Sequence, residues 1–360
     1  MASSQSHSTP VSAGPGGRGT SATTPTPADL EGITTRFLDV DGIQIHVGCV
    51  DGTRGPAPHV DGARDRLVPD ANGRDQPPPD TDARVGVLLL HHFYGNVATW
   101  RRVLRQLDAR GIPAVAVDRP GFGWSQRPTA AQVRATTNAG APNPYTRAFG
   151  VAAARAAIDD AGWDEVVIVG SSMGGTLAIE LTAAMEADAA APAIRHLVML
   201  SPALTGDVGM PPPLRPLLRA GWIRRAMRPI VNRLSRRMDL ERVAGGWHDR
   251  ALADQSDIDA YRIPTHQPGW ADGIWQVMTV EPPPDLRSVA AGISAPATVV
   301  SGHHDRTVRP KWNRRTAAGM GARLVEVDTG HTPQEERPDL VVDLVAEVVA
   351  ASTQAAQRAD

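Results

Sequence analysis

Three side chains of complementary chemistry stand far apart in the chain: Ser172, Asp305 and His331. A serine hydroxyl becomes a nucleophile when a neutral imidazole accepts its proton, and the imidazole can later return that proton to a leaving group. A carboxylate bonded to the other ring nitrogen fixes the imidazole tautomer and stabilises the imidazolium. If folding brings the three together, they could attack an acyl carbonyl and form a covalent intermediate.

Ser172 lies at the centre of the segment GSSMG (170–174), between the apolar run VVIV and the helical run GTLAIELTAAMEA. Glycines on both sides of the serine permit a tight turn in which backbone segments approach closely. Such a turn places the hydroxyl at a helix N-terminus, where free N–H groups favour a developing oxyanion. Small residues also occur in ordinary strand–helix turns, so the position between a buried strand and a helix is what indicates a nucleophile.

His331 and Asp305 each follow an apolar strand pattern, in VDTGHTPQEERPDLV and VVSGHHDRTV respectively. The carboxyl ends of parallel strands lie at one edge of a sheet, where ligands bind, so these side chains are expected near Ser172. Asp207, in SPALTGDVG, also follows a strand and is the alternative acid. The order serine, acid, histidine is the one found with a nucleophile on a strand–turn–helix. We favour Asp305 for its spacing to the histidine.

The elements that must position these residues are predicted from hydrophobic patterning. From residue 85 onward, short continuous apolar runs alternate with helical segments, which predicts an α/β fold with a mostly parallel central sheet flanked by helices. Before them, TRFLDVDGIQIHVGCVD (35–51) alternates around Asp41-Gly42 and predicts a β-hairpin. The predicted strands cover 85–92, 112–118, 165–170, 194–202, 295–305 and 322–331.

The chain divides into segments of different composition. Residues 1–32 are rich in Ser, Thr, Pro and Gly and are expected to be a disordered tail. Residues 351–360 are expected to form a C-terminal tail. Residues 33–206 and 291–350 form the predicted core, with a long surface loop at about 52–84. Between them, residues 207–290 show helical periodicity without a strand pattern and are predicted to form a helical cap over the strand ends.

Bulk composition excludes several classes of protein. With a net charge of −2, the 360-residue chain has no general attraction to nucleic acid, and it lacks the apolar run needed for stable membrane insertion. Cys49 is the only cysteine, which excludes an intrachain disulfide. His303 and His304 beside Asp305 are too compact for a metal site, so neither a metal nor a cofactor is expected. A cytoplasmic location is expected.

The chain resembles α/β-hydrolase fold serine hydrolases, in the branch with a helical cap between the sixth and seventh core strands. The resemblance rests on six short segments that occur in the same order as in that family. The resemblance covers roughly residues 35–350. It implies a small-molecule carboxylic ester, or a related acyl bond, as substrate and an acyl-enzyme on Ser172. The segments are LLLHHFYGN, DRPGFGWS, NPYTR, GSSMGG, GHHDRTV and GHTPQEERP.

The resemblance also implies an oxyanion hole. In the family, the loop after the third core strand reads His-Gly-x-Gly, and the residue at x donates a backbone N–H. By position, Phe93 and Met173 would be the two backbone donors, while His92 replaces the usual glycine. Side chains that could contact the substrate are His92 and Tyr94 in this loop and Trp222 and Trp275 in the predicted cap.

Alternative functions stay open at this point. Similar enzymes hydrolyse carbon–carbon bonds of dienoic diketones, and the same three residues support cofactor-free perhydrolase or haloperoxidase activity. Haloalkane dehalogenases and epoxide hydrolases of this fold have aspartate at the position of Ser172, which argues against alkyl-enzyme chemistry. From another class, some members of the fold bind ligands without catalysis.

Overall fold

The computed structural model describes residues 30–53, 68–69, 75–76, 84–204, 221–237, 243–282 and 284–356. Three predicted features lie wholly or largely outside these residues: the N-terminal tail, the loop at about 52–84, and Asp207. Within the described residues, no helix combines the length and the apolarity needed to cross a bilayer.

Eight of the described strands form one sheet in the order β1-β2-β6-β5-β7-β8-β9-β10. Strands β5 to β10 pair in parallel, whereas β1 with β2 and β2 with β6 are antiparallel. The predicted mostly parallel sheet is thus confirmed. The strands are β1 (Thr34–Val40), β2 (Ile43–Val50), β3 (Val68–Pro69), β4 (Asp75–Gln76), β5 (Val85–Leu90), β6 (Ala114–Val117), β7 (Glu165–Ser171), β8 (Ala193–Leu200), β9 (Ala297–Gly302) and β10 (Arg323–Val327).

The first two strands form the predicted hairpin. Asp41 and Gly42 both have positive φ, 50° and 77°, as a two-residue turn matching the twist of the strands requires. Outside the large sheet, β3 and β4 pair with each other inside the predicted loop at about 52–84.

Helices cover both faces of the sheet. They are α1 (Arg101–Asp108), α2 (Ala130–Asn138), α3 (Arg147–Ala161), α4 (Met173–Glu186), α5 (Gly221–Arg236), α6 (Gln255–Arg262), α7 (Trp270–Thr279), α8 (Arg287–Ala291), α9 (Pro310–Met320), α10 (Pro333–Glu336) and α11 (Pro338–Ala356).

Alternate residues of the central strands point into two separate cores. On β5, Val87 and Leu89 face the layer containing α1 and α11, while Leu88 and Leu90 face the layer containing α3 and α4. All four are at most 1% exposed. Burial on both faces explains why these strands are continuous apolar runs in the sequence.

Helices α5 to α8 lie between β8, the sixth strand of the large sheet, and β9, the seventh. We call residues 221–237, 243–282 and 284–291 the helical insertion. A buried ion pair docks α6 on the core, because Arg101 of α1 approaches the Asp257 carboxylate to 2.6 Å. Arg102 reaches the second oxygen of the same carboxylate at 3.0 Å.

Both predicted tail boundaries differ from the observed elements. Leu30 lies inside the predicted N-terminal tail, yet it is only 6% exposed and packs in the core with Ile33. At the other end, α11 continues to Ala356, past the predicted start of the tail at residue 351. A single apolar residue gives no periodic pattern, so the sequence alone did not extend the core to Leu30.

Candidate active site

Ser172 is held in a strained backbone conformation between β7 and α4. Its φ and ψ are 50° and −110°, a region that non-glycine residues rarely occupy. The turn is close-packed, since a Cβ on Gly170 would lie 2.4 Å from the Gly174 carbonyl oxygen and one on Gly174 would lie 2.1 Å from that of Leu90. Only glycine fits at either position, which is the physical meaning of the spacing in the sequence.

The structure brings Ser172, His331 and Asp305 together. His331 Nε2 lies 3.0 Å from Ser172 Oγ, and His331 Nδ1 lies 2.8 Å from Asp305 Oδ2. All three residues are at most 8% exposed. An ionised carboxylate can only accept, so Nδ1 carries the imidazole proton and Nε2 is free to accept the serine proton.

Asp305 is fixed by backbone groups of its own loop. The N–H groups of Thr307 and Val308 donate to Asp305 Oδ1 at 2.8 and 2.9 Å, leaving Oδ2 for His331. The carboxylate therefore has its full set of partners although it is buried. The alternative acid, Asp207, lies outside the described residues.

The loop that carries His331 rests on the helical insertion. His331 donates its backbone N–H to the Gly246 carbonyl at 2.6 Å. A Cβ on Gly330 would lie 2.0 Å from that carbonyl oxygen, so this contact requires glycine. Glu336 accepts the backbone N–H groups of Gly330 and His248, at 2.7 and 3.1 Å, and so binds the loop and the insertion together.

Phe93 and Met173 lie where two backbone donors are predicted, one after β5 and one at the first position of α4. Within the described part of the chain, neither backbone N–H donates a hydrogen bond. Their side chains pack on one apolar cluster, formed by Phe122, Trp270 and Ile274. Among the described residues, both N–H groups are thus without an acceptor, and the side chains of the same two residues belong to an apolar cluster.

The two histidines before Phe93 are buried and neutral. His91 Nε2 accepts the Arg119 backbone N–H at 3.2 Å, so its Nδ1 donates to the His92 carbonyl at 2.7 Å. Burial lowers the pKa of His91 to about 4. Burial is also the main cause that lowers the pKa of His92 well below its usual value, and the neighbouring His331 and His91, which would repel a positive charge on His92, lower it further.

The predicted substrate contact of His92 needs correction. Its Nε2 lies 2.8 Å from the Tyr261 hydroxyl, and its Nδ1 lies 3.2 Å from Gln334 Nε2. Both ring nitrogens are thus bonded within the protein and are not free for a ligand. The departure from the family loop was visible in the sequence, but its partners, 169 and 242 residues away, were not.

The other three residues predicted to contact the substrate lie in different surroundings from one another. Tyr94, with φ 67°, stacks edge-on against Phe93 at 4.7 Å and lies 6.0 Å from the Trp270 ring. Trp275 is 8% exposed on α7. Trp222 is 67% exposed on α5 and lies at the surface, so this structure does not support its predicted substrate contact.

Trp270, which sequence reasoning did not single out as a substrate contact, packs with the side chains of Phe93 and Met173, the two residues predicted as backbone donors. It forms one face of α7 with Ile274 and Val277, and all three belong to the apolar cluster that includes Phe93 and Met173. Spacing of i, i+4 and i+7 in WADGIWQVMT places them on a common face and could have identified them.

The group that could hold a metal ion within the described residues is His248, His304 and Asp328, whose ligand atoms lie within 4.8 Å of one another. His304 already bonds to Asp328 at 2.8 Å and stacks on His248 at 3.5 Å with an 8° angle between the rings. A metal binds in the plane of an imidazole ring, and two stacked parallel rings cannot share one ion unless a ring turns. The compact group at 303–305 does not converge, since Asp305 bonds to His331.

A family model described as the alpha/beta hydrolase family matches residues 87–344. No curated protein matches the chain.

Solved structures resemble the chain over most of its length at low identity. Est816, described as an N-acyl homoserine lactone degrading enzyme, is 20% identical, covers 86% of this chain and 99% of its own, and has a TM-score of 0.56. The enol-lactonase from Burkholderia xenovorans LB400 is 22% identical with 88% and 100% coverage and a TM-score of 0.55. A meta-cleavage product hydrolase from Pseudomonas fluorescens IP01 is 17% identical with 89% and 99% coverage and a TM-score of 0.57.

Proposed function

The chain belongs to the alpha/beta hydrolase family, and from this premise we propose that it is a serine hydrolase that cleaves a small-molecule carboxylic ester. The observation that carries the proposal is the continuous chain of hydrogen bonds from Ser172 Oγ through His331 to Asp305, at 3.0 and 2.8 Å. Neither bond needs rearrangement before reaction, since both lie within hydrogen-bonding distance.

The reaction proceeds in two halves. Ser172 Oγ attacks the acyl carbon as its proton passes to His331 Nε2, and the leaving alcohol takes that proton when the carbon–oxygen bond breaks. Water then attacks the acyl-enzyme and gives a proton to the same nitrogen. His331 returns this proton to Ser172 Oγ as the acyl carbon–Oγ bond breaks, which releases the carboxylic acid and restores the serine hydroxyl. Asp305 stabilises the imidazolium in both halves and is not itself protonated.

The backbone N–H groups of Phe93 and Met173 stabilise the oxyanion of each tetrahedral intermediate. Neither group has a competing acceptor among the described residues, so each can bond to the oxyanion without breaking a bond first. The apolar cluster around Trp270 and Phe122 supports a small acyl group of apolar character as the bound part of the substrate.

A second candidate is hydrolysis of a carbon–carbon bond in a dienoic diketone. The resemblance to a meta-cleavage product hydrolase supports it. Lactones are a third class of ester-like substrate, which the resemblance to an enol-lactonase and to a lactone-degrading enzyme favours.

A substrate panel tests the proposal. The wild-type chain is assayed with p-nitrophenyl acetate and butyrate, a homoserine lactone and a dienoic diketone, next to Ser172→Ala and the surface control Ser288→Ala. We expect ester hydrolysis that Ser172→Ala reduces by at least 10³-fold, since loss of the nucleophile typically costs about 10⁶. Turnover of the diketone alone would favour carbon–carbon hydrolysis, and no turnover of any substrate would favour a ligand-binding protein.

A further inference from the structure

A buried hydrogen-bonded network surrounds His92, the residue that departs from the family loop. Beyond the two bonds of His92 itself, the Tyr261 hydroxyl lies 2.8 Å from both oxygens of Glu335. Gln334 Oε1 accepts from the Ser171 hydroxyl at 3.3 Å. All five residues are at most 8% exposed, so each of these polar groups depends on the others for its partners.

In the chain of hydrogen bonds from Gln334 through His92 and Tyr261 to Glu335, each group donates to the next. An amide nitrogen only donates, so His92 Nδ1 accepts from Gln334 and the ring proton is on Nε2. That proton is donated to the Tyr261 oxygen, and the hydroxyl in turn donates to the Glu335 carboxylate. Each of these three hydrogen bonds thereby has one donor and one acceptor, which favours this arrangement.

The network connects the segments on which the proposed chemistry depends. Ser171 and His92 immediately precede Ser172 and Phe93, while Gln334 and Glu335 lie three and four residues beyond His331. Tyr261 lies on α6 of the helical insertion. One imidazole therefore joins the nucleophile turn, the oxyanion loop, the histidine loop and the insertion.

His92 also shapes the turn that presents the Phe93 N–H. Its carbonyl accepts from the Gly95 N–H at 3.0 Å and from His91 Nδ1 at 2.7 Å. Its ring packs on the same turn, since a Cβ on Gly95 would lie 2.8 Å from His92 Cε1. Both ends of the residue are thus fixed, and the peptide that carries the Phe93 N–H is fixed with them.

We propose that His92 is a positioning residue, which holds the Phe93 backbone N–H in place for the oxyanion and links it through Tyr261 and Gln334 to the insertion and the histidine loop. This inference rests on the proposed serine hydrolase function. The low pKa of His92 is consistent with it, because a ring that resists protonation is too weak a base to compete with His331 for the serine proton.

Kinetics of network variants test the proposal. Tyr261→Phe removes one hydroxyl and keeps the ring, and Tyr145→Phe is the matched control, because that buried hydroxyl bonds to the Pro128 carbonyl at 2.9 Å, outside the network. His92→Ala removes the link, whereas His92→Gln keeps an amide that can donate to Tyr261. Each variant is assayed for kcat and KM on p-nitrophenyl butyrate and for its rate of labelling by a fluorophosphonate, with thermal melts to verify folding.

Removal of a whole oxyanion donor typically costs about 10²- to 10³-fold, so misplacement by His92→Ala should lower kcat and the labelling rate about tenfold, with KM within twofold. Tyr261→Phe should lower both about threefold, and Tyr145→Phe should leave both unchanged. His92→Gln should recover part of the loss. The double variant His92→Ala/Tyr261→Phe should have the same kcat and labelling rate as His92→Ala alone, because both changes interrupt the same chain of hydrogen bonds.

The outcomes separate the two proposals. If the wild-type chain neither hydrolyses the ester nor takes the label, the serine hydrolase function fails and the role of His92 fails with it. If the wild type reacts and both His92→Ala and Tyr261→Phe match it within twofold, only the positioning role is overturned. A loss confined to KM would overturn it as well and would assign substrate binding to His92. Should His92→Ala not fold, Tyr261→Phe and His92→Gln decide the result.

Discussion

His331 and Gly246 are joined through their backbones, with the histidine N–H 2.6 Å from the glycine carbonyl oxygen. The loop that presents the proposed general base is therefore packed against the helical insertion. A change that separates the two surfaces should disturb the base without altering any of the three predicted catalytic side chains.

Gly330→Ala tests this dependence. The new Cβ would lie 2.0 Å from the Gly246 oxygen, so the insertion must shift. Overpacking of this kind costs about 1–3 kcal/mol of folding free energy, and the shift should lower kcat at least tenfold. Gly319→Ala, on α9, is the control, since a Cβ there meets nothing within 4 Å. Equal kcat values for the two variants would show that the contact is dispensable.

Asp305→Asn tests the acid of the proposed catalytic triad. The amide nitrogen would donate to His331 Nδ1, so the imidazole would hold its proton on Nε2 and could not accept the serine proton. Such a change lowers kcat by roughly 10⁴ in the best-known triad, and a loss of 10³ or more is expected here. Asp207→Asn should remain within twofold of the wild type. The reverse result would make Asp207 the acid.

Features that depend on local sequence patterns were predicted correctly, whereas most features that depend on contacts between distant residues were not. Strand–helix alternation and the glycines around Ser172 are local patterns, and they predicted the sheet and the turn. His331 and Asp305 could be placed because parallel strands end at one edge of the sheet.

Hydrogen bonds between polar residues that are far apart in the chain leave no such pattern in the sequence. Tyr261 and Glu335 are single residues on short helices, and only the packing of the insertion brings them to His92. Trp222 and Trp270 are both tryptophans of the predicted cap, so residue type does not distinguish them. Trp222 is exposed and Trp270 is buried, because tertiary contacts decide which face of each helix meets the core.

Trp270→Leu and Trp222→Leu should separate these two positions. Trp270 packs in the cluster beside both proposed oxyanion donors, so its truncation should enlarge the acyl site. Each additional methylene buried there contributes about 0.8 kcal/mol, so kcat/KM for longer p-nitrophenyl esters should rise, relative to acetate, by about fourfold for each methylene that the enlarged site accommodates. Trp222→Leu, at an exposed position, should leave the ratio unchanged. An identical ratio in both variants would remove Trp270 from the acyl site.

Glu335→Gln should change how stability depends on pH. Burial raises the pKa of Glu335 from 4.5 to about 7, with Asp257 raising it further and Tyr261, Arg101 and Thr332 opposing. Between these values the folded chain retains a proton that the unfolded chain has lost, so the stability of the wild type falls as pH rises. The free energy of unfolding, wild type minus variant, should drop by about 2–3 kcal/mol between pH 5 and 8.

Urea unfolding at the two pH values measures this difference. The control is Glu347→Gln, because Glu347 forms an exposed ion pair with Arg323 and lies on α11. A wild-type-minus-variant difference that stays constant from pH 5 to 8 would show that Glu335 does not bind the proton in this range.

The most direct measurement is covalent trapping of the nucleophile. The folded chain is treated with a fluorophosphonate and digested, and the labelled peptide is identified by mass. We expect one phosphonyl group on the peptide containing Ser172, slower labelling in His331→Ala and none in Ser172→Ala. Label on another residue, or no label on a folded wild-type chain, would contradict the account.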